Sequence, residues 1–149
     1  MGLFDKLKGA MNAVTGGAAK VTIAFEKPAA GAGTSAKAML TAVSSGAEVK
    51  SGGVFIDVQS VEESEVEVEN NKHRMTTTMF EKSFKIAEAF VLAPNETKKF
   101  HGEFAIPPDA QPTYEGKWAS HRWSVRGRLE AFGNDPDSGF QPFVVTRQG

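Results

Sequence analysis

The sequence contains no cysteine, a single tyrosine and three histidines among its 149 residues. Without cysteine it can form neither disulfides nor thiolate metal sites, and it has no thiol nucleophile. The histidines His73, His101 and His121 form no His-x-x-x-His pair, so the four well-placed nitrogen or sulfur ligands of a structural zinc site are not spelled out. No stretch approaches the roughly 18 uninterrupted apolar residues of a membrane span. Neither sign of charge dominates: 17 Lys and Arg face 18 Asp and Glu, for a net charge of −1. That balance leaves no electrostatic footprint for nucleic acid.

Catalytic motifs are missing as well. There is no Gly-x-Ser-x-Gly elbow and no glycine loop ending in Gly-Lys-Ser/Thr. Ser120 and His121 are neighbours, but adjacent strand residues point to opposite faces and cannot form a triad by proximity. Asn134-Asp-Pro-Asp-Ser138 superficially resembles a calcium loop. It lacks the twelfth-position Glu, and Pro136 removes a backbone donor where the loop must curl, so it reads as a turn. No catalytic residue, cofactor site or metal site is expected.

What the chain does have is alternation. From Arg122 to Ala131 the odd positions are apolar or small and the even positions polar or charged, the signature of a half-buried strand. Similar stretches fill most of the sequence after residue 18. Val21, Ile23 and Phe25 start the pattern; after a loop rich in small residues from Lys27 to Thr34, Ala36 to Val43 continues it, with Thr41 and Val43 favouring strand over helix. Val54, Ile56 and Val58 form a third strand, with Ser51-Gly-Gly53 ahead of it as a tight turn or bulge. Val61 to Glu69 reads as a strand with an acidic face, and the polar stretch Asn70 to Thr78 as a loop. Phe80, Phe84, Ile86, Phe90 and Leu92 share one parity, and a hairpin is expected around Pro94. Arg122 to Ala131 is expected to be the longest strand, and Phe140 to Val145 the last, with Pro142 near an edge or a bulge.

Seven to nine short strands between Gly, Pro, Asn and Ser clusters point to an all-β sandwich or barrel. There is no room for the repeated crossover helices of a parallel sheet. Eleven Phe and two Trp supply the filling. Burying each is worth roughly 1.5–3 kcal/mol, so most must be inside. Trp123 shares the parity of Val125 and Leu129 and belongs to the core. His101 has the opposite parity to Phe100 and Phe104 and faces solvent.

Residues 2–14 differ from the rest. Leu3, Phe4, Leu7, Met11 and Val14 recur at spacings of three and four, as on an amphipathic helix, and Thr15-Gly-Gly-Ala18 ends it. This segment is expected to pack on its own domain, a second subunit or a membrane surface. Asp5, Lys6 and Lys8 interrupt what would be the core of a secretory leader, so none is expected and the cytoplasm is the default location.

Two further features suggest contacts with other proteins. Arg122, Arg126 and Arg128 share a strand face, and Glu62, Glu63, Glu65, Glu67 and Glu69 form an acidic segment. If the segments pair, cross-strand ion pairs account for both; otherwise the basic stripe suits an acidic peptide or phosphorylated tail. Trp118 follows Pro112-Thr-Tyr-Glu-Gly116 near a loop end, where it can cap the sandwich or anchor a partner. Together with Tyr114 and His121 it also allows a small-ligand or carbohydrate-binding alternative.

Phe104-Ala-Ile-Pro107, Pro112-Thr-Tyr-Glu-Gly116 and Trp123-Ser-Val-Arg-Gly-Arg-Leu129 together resemble the N-terminal half of arrestin-like proteins, most closely the bacterial sporulation-control type. The opening amphipathic segment, Ala19-Lys-Val-Thr-Ile23, Phe25-Glu-Lys27 and Phe90-Val-Leu-Ala-Pro-Asn-Glu96 extend the resemblance over residues 1–130. It implies an immunoglobulin-like sandwich without enzymatic activity, acting as an adaptor or regulator through protein contacts. Many such proteins carry two sandwiches, and this length accommodates one. The expectation is therefore a helix and glycine-containing link over 1–18 and a single arrestin-like sandwich over 19–149. Its partner would be a protein, including a second copy in a homodimer, rather than nucleic acid. The expected contact residues are Leu3, Phe4, Leu7, Met11, Arg122, Arg126, Arg128 and Trp118.

Overall fold

A computed structural model describes residues 18–147. The expected helix, and with it Leu3, Phe4, Leu7 and Met11, lies outside those residues. Ten strands follow: β1 (Ala19–Phe25), β2 (Ala29–Gly31), β3 (Ser35–Ser44), β4 (Val49–Val68), β5 (Asn71–Ala87), β6 (Phe90–Leu92), β7 (Thr97–Ala105), β8 (Tyr114–Glu115), β9 (Ala119–Ala131) and β10 (Gln141–Thr146). They form two sheets. The smaller runs β1-β3-β7; the larger runs β2-β10-β9-β4-β5, with β6 on β4 and β8 on β9.

Alternation places the core between the sheets. In β9 the odd residues His121, Trp123, Val125 and Leu129 are buried, as the period of two predicts. Opposite them in register stand Ser60, Val58 and Val54 of β4, also buried. Leu40 and Ala42 of β3 and Phe104 of β7 close the other side. Phe25, Phe104 and Phe143 meet edge to face, with ring centroids 5.2–6.3 Å apart, the arrangement favoured by the ring quadrupole. Two glycines leave room for side chains of the facing sheet: a Cβ at Gly127 would overlap the Leu40 side chain, and one at Gly102 would overlap Ile86.

Four expectations are corrected. Asn70 to Thr78 is not a loop: all but its first residue belong to β5, which pairs with β4 from Val68↔Asn71 back to Val54↔Ala87. Its polar side chains disguised it because neither face there is fully buried. The segments around Pro94 do not form a hairpin, because β6 pairs with β4 and β7 with β3; the chain crosses between sheets at this point. β4, with 20 residues, exceeds the 13 of β9 as the longest strand. The loop expected over 27–34 contains the short β2, held parallel to β10.

Ser51-Gly-Gly53 is a bulge, with the β4–β9 register shifting between Ser51 and Gly53. Pro142 pairs with β9, while β2 joins β10 only from Val144 onward. Its missing N–H thus falls on a locally open edge.

Candidate interaction surface

β4 and β5 run past the end of the sandwich as a two-stranded arm. β9 follows β4 only as far as Ser64↔Ala119, with one further bond from the Glu65 N–H to the Trp118 carbonyl. Beyond that, β4 and β5 pair only with each other, and the chain reverses at Glu69 and Asn70, both with positive φ (50° and 66°). Two consecutive left-handed residues make the turn that matches strand twist in a two-residue hairpin. β5 is the terminal strand of its sheet, so alternate backbone N–H and C=O groups along it point away from β4 without a ladder partner.

The arm has two unlike faces. On one, Glu63, Glu65 and Glu67 stand opposite Thr76, Arg74 and Lys72. On the other, Val66 and Val68 continue the parity of buried Ile56 and Val58, and Met75 lies opposite Ser64. β5 carries one extra residue where the register slips between Ser60 and Val61, leaving Met79 between Thr78 and Phe80.

The arginine stripe sits on the outer face of the large sheet but is not a free basic surface. Arg126 Nε donates to Asp57 Oδ2 at 2.7 Å. Arg128 grips the same carboxylate as a fork, Nε to Oδ2 at 2.8 Å and Nη2 to Oδ1 at 3.2 Å. Ser83 Oγ donates to Oδ1 at 2.6 Å. Arg128 Nη1 also reaches Asp135 Oδ2 at 3.0 Å. Arg126 stacks over Phe140 and Arg128 over Phe55, each guanidinium carbon 4.6 Å from the ring centroid. Burial would push the Asp57 carboxyl up, but the hydrogen bonds from Arg128, Ser83 and Arg126 outweigh it and hold the group below the usual carboxylate range. The Arg128 guanidinium is pushed the other way, chiefly by its hydrogen bond to Asp57.

The cross-strand ion pairs expected on this face are therefore present but differently partnered. β4 and β9 are neighbours, yet it is Asp57, not the acidic run, that faces Arg126 in register. Arg122 pairs with Glu115 at 2.8 Å on an exposed surface, where such a contact contributes about 0–1 kcal/mol. Two arginines against two carboxylates leave little charge to recruit an acidic ligand.

The aromatic end of the sandwich does not assemble the alternative ligand pocket. Trp118 is 53% exposed, with Lys117 Nζ 5.0 Å from its ring centroid. His121 is fully buried, its Nδ1 3.0 Å from the Pro112 carbonyl. Tyr114 lies 6.2 Å from His121 between ring centroids, but the cavity beside His121 (about 160 Å³) is lined by Ser60, Met79, Phe80 and Trp123 and includes neither Tyr114 nor Trp118. Trp123 is core, its indole N–H donating to the Gln111 carbonyl at 2.8 Å.

Of the expected contact residues, the fold brings Arg126 and Arg128 together on Asp57, and Arg122 and Trp118 line one open groove of about 170 Å³ with Glu65, Arg74 and Glu115. The residues that the sequence reading missed are those of the arm: Val66, Val68, Met75 and Met79. The run Thr76-Thr-Thr78 between two methionines is β-branched and was the available signal for a strand there. Among the described residues no group of three or more His, Asp or Glu side chains could hold a metal ion. No helix among them is long and apolar enough to cross a membrane.

No family model matches the sequence, and no curated protein matches it. Among solved structures, the chain is similar to Spo0M, the sporulation control protein of Bacillus subtilis, with a TM-score of 0.66 and 24% identity over 89% of this chain. The matched region is 51% of the Spo0M chain, so the present chain spans about half its length. The likeness establishes the architecture: an arrestin-like β-sandwich.

Proposed function

We propose that this chain is a non-enzymatic protein-interaction module with a scaffold or regulatory role in the cytoplasm, residues 19–149 acting as one sandwich. The observation that carries this reading is the open edge of β5 on an arm that leaves the sandwich. A free edge of this length is a template for strand addition, in which main-chain hydrogen bonds supply affinity and flanking side chains supply selectivity. Spo0M is a sporulation control protein, and a regulatory role here is consistent with that likeness. The partner is a protein, and a second copy is one such partner.

The edge is tested by proline. Of the consecutive residues Thr76 and Thr77, one presents its N–H to the open side. Pull-downs from the native host with the full chain are compared with Thr76→Pro and Thr77→Pro. The reading expects a reproducible partner that one proline removes and the other retains. Equal recovery with both substitutions, or no partner enriched by the intact chain, overturns it.

A further inference from the structure

Two buried polar atoms are left over from the hydrogen bonding of the fold. Among the described residues, Ser60 Oγ and His121 Nε2 are the buried side-chain polar atoms that lack a hydrogen-bond partner. Ser60 is 1% exposed and His121 0%. An unsatisfied polar group at that depth is costly and calls for a partner. Both atoms belong to one place. Ser60 stands opposite Trp123, and Glu62 opposite His121, so Ser60 and His121 are diagonal neighbours on the inner face of the large sheet. Both residues line the cavity of about 160 Å³.

His121 Nδ1 lies 3.0 Å from the Pro112 carbonyl. A carbonyl only accepts, so Nδ1 carries the proton and, in the neutral ring, Nε2 presents a lone pair. The Ser60 hydroxyl can both donate and accept. A single hydroxyl group complements the pair, donating to Nε2 and accepting from Oγ. The remaining wall is apolar: Phe80 and Trp123, with ring centroids 5.4 Å apart, form it together with Pro107. The Trp123 indole N–H is already bonded to the Gln111 carbonyl. Waters against that wall would find too few partners, whereas an apolar cavity of ~150 Å³ admits one benzene ring. Met79, Asp109 and Gln111 line the same cavity and are exposed, so it opens to solvent beside β5. Met79 is the extra residue at the register slip, and such bulges re-aim side chains next to sites.

We propose that this cavity is an anchor pocket for a tyrosine of the partner protein. The ring lies against Phe80, Trp123 and Pro107. The phenolic O–H donates to His121 Nε2, and the phenolic oxygen accepts from Ser60 Oγ. Aromatic anchors in desolvated pockets dominate many protein interfaces, and tyrosine joins an apolar body to a polar tip. The proposal rests on the protein-interaction reading and names the side chain that the partner presents.

The test titrates the full chain with three probes: p-cresol, which is the tyrosine side chain alone; toluene, which lacks the hydroxyl; and N-acetyltyrosinamide, which carries peptide backbone. p-Cresol should saturate one site, and toluene should bind about tenfold more weakly. N-Acetyltyrosinamide should compete with p-cresol. The His121 Nε2 nitrogen resonance should move upfield as p-cresol binds, because that atom becomes an acceptor. Ser60→Ala should weaken p-cresol about fivefold, leave toluene unchanged and keep the circular dichroism of the parent. Absence of saturable p-cresol binding overturns the proposal. So does equal binding of toluene, or an Nε2 resonance that stays in place. Binding of p-cresol without competition from N-acetyltyrosinamide also overturns it, and assigns the cavity to a free phenol. These titrations do not read the β5 edge and the proline pull-downs do not read the cavity, so failure of either reading is distinguishable from failure of the other.

Discussion

Arg128 reaches across from β9 to clasp Asp57 of β4 with two hydrogen bonds, Nε to Oδ2 at 2.8 Å and Nη2 to Oδ1 at 3.2 Å. The Asp57 side chain is 10% exposed and that of Arg128 16%. A pair this sheltered is costly to break from one side, because the surviving charge keeps its desolvation penalty and loses its partner.

Asp57→Ala should therefore destabilise the fold by about 3 kcal/mol, the lower end of the range for an uncompensated buried charge, because Arg126 is partly solvated. Arg122→Ala, which removes only an exposed pair, should cost under about 1 kcal/mol. Urea unfolding of the two variants against the parent checks the ratio.

The same carboxylate sets a pH dependence. Its pKa in the folded protein lies below the usual carboxylate range. The stabilisation is thus complete above the unfolded pKa and is lost as pH falls from about 4 through the folded value. Urea midpoints measured from pH 6 down to pH 2.5 should fall more steeply for the parent than for Asp57→Asn below about pH 4. Parallel profiles would remove Asp57 from the acid response.

Gly127 faces Leu40 from the opposite sheet with no space for a methyl group. Gly127→Ala should cost about 1–3 kcal/mol by overpacking. Leu40→Ala, which empties space at the same contact, should cost about 2–5 kcal/mol. The double variant should be less destabilised than the sum of the two, a coupling read from a double-mutant cycle.

The two tryptophans should separate optically. Trp123 is 3% exposed and Trp118 53%. Trp118→Phe should leave blue-shifted emission protected from iodide. Trp123→Phe should leave red-shifted emission that iodide quenches. The opposite assignment would contradict the burial of β9.

The sequence was most legible where one face of a strand is dry. In β9, Trp123, Val125 and Leu129 alternate against Arg122, Arg126 and Arg128, and parity alone placed them. Ser51-Gly-Gly53 was readable as a bulge because glycine relaxes the backbone there. β5 was hidden for the converse reason: from Asn71 to Thr78 both faces of the arm are open, so no hydrophobic period was imposed. The partner of the arginines was equally out of view. Arg126 and Asp57 are 69 residues apart, and the acidic run Glu62 to Glu69 is the more conspicuous candidate in the sequence. The crossing between sheets at Pro94 looks locally identical to a hairpin turn, and only the sheet order distinguishes them.

The most direct measurement is photocrosslinking in the native host from a benzoylphenylalanine placed at Thr76 on the arm, against one at Thr41 on the outer face of the small sheet. If the arm is where this module meets other proteins, Thr76 gives a discrete protein adduct and Thr41 does not. Adducts from Thr41 alone, or none from Thr76, would contradict the account.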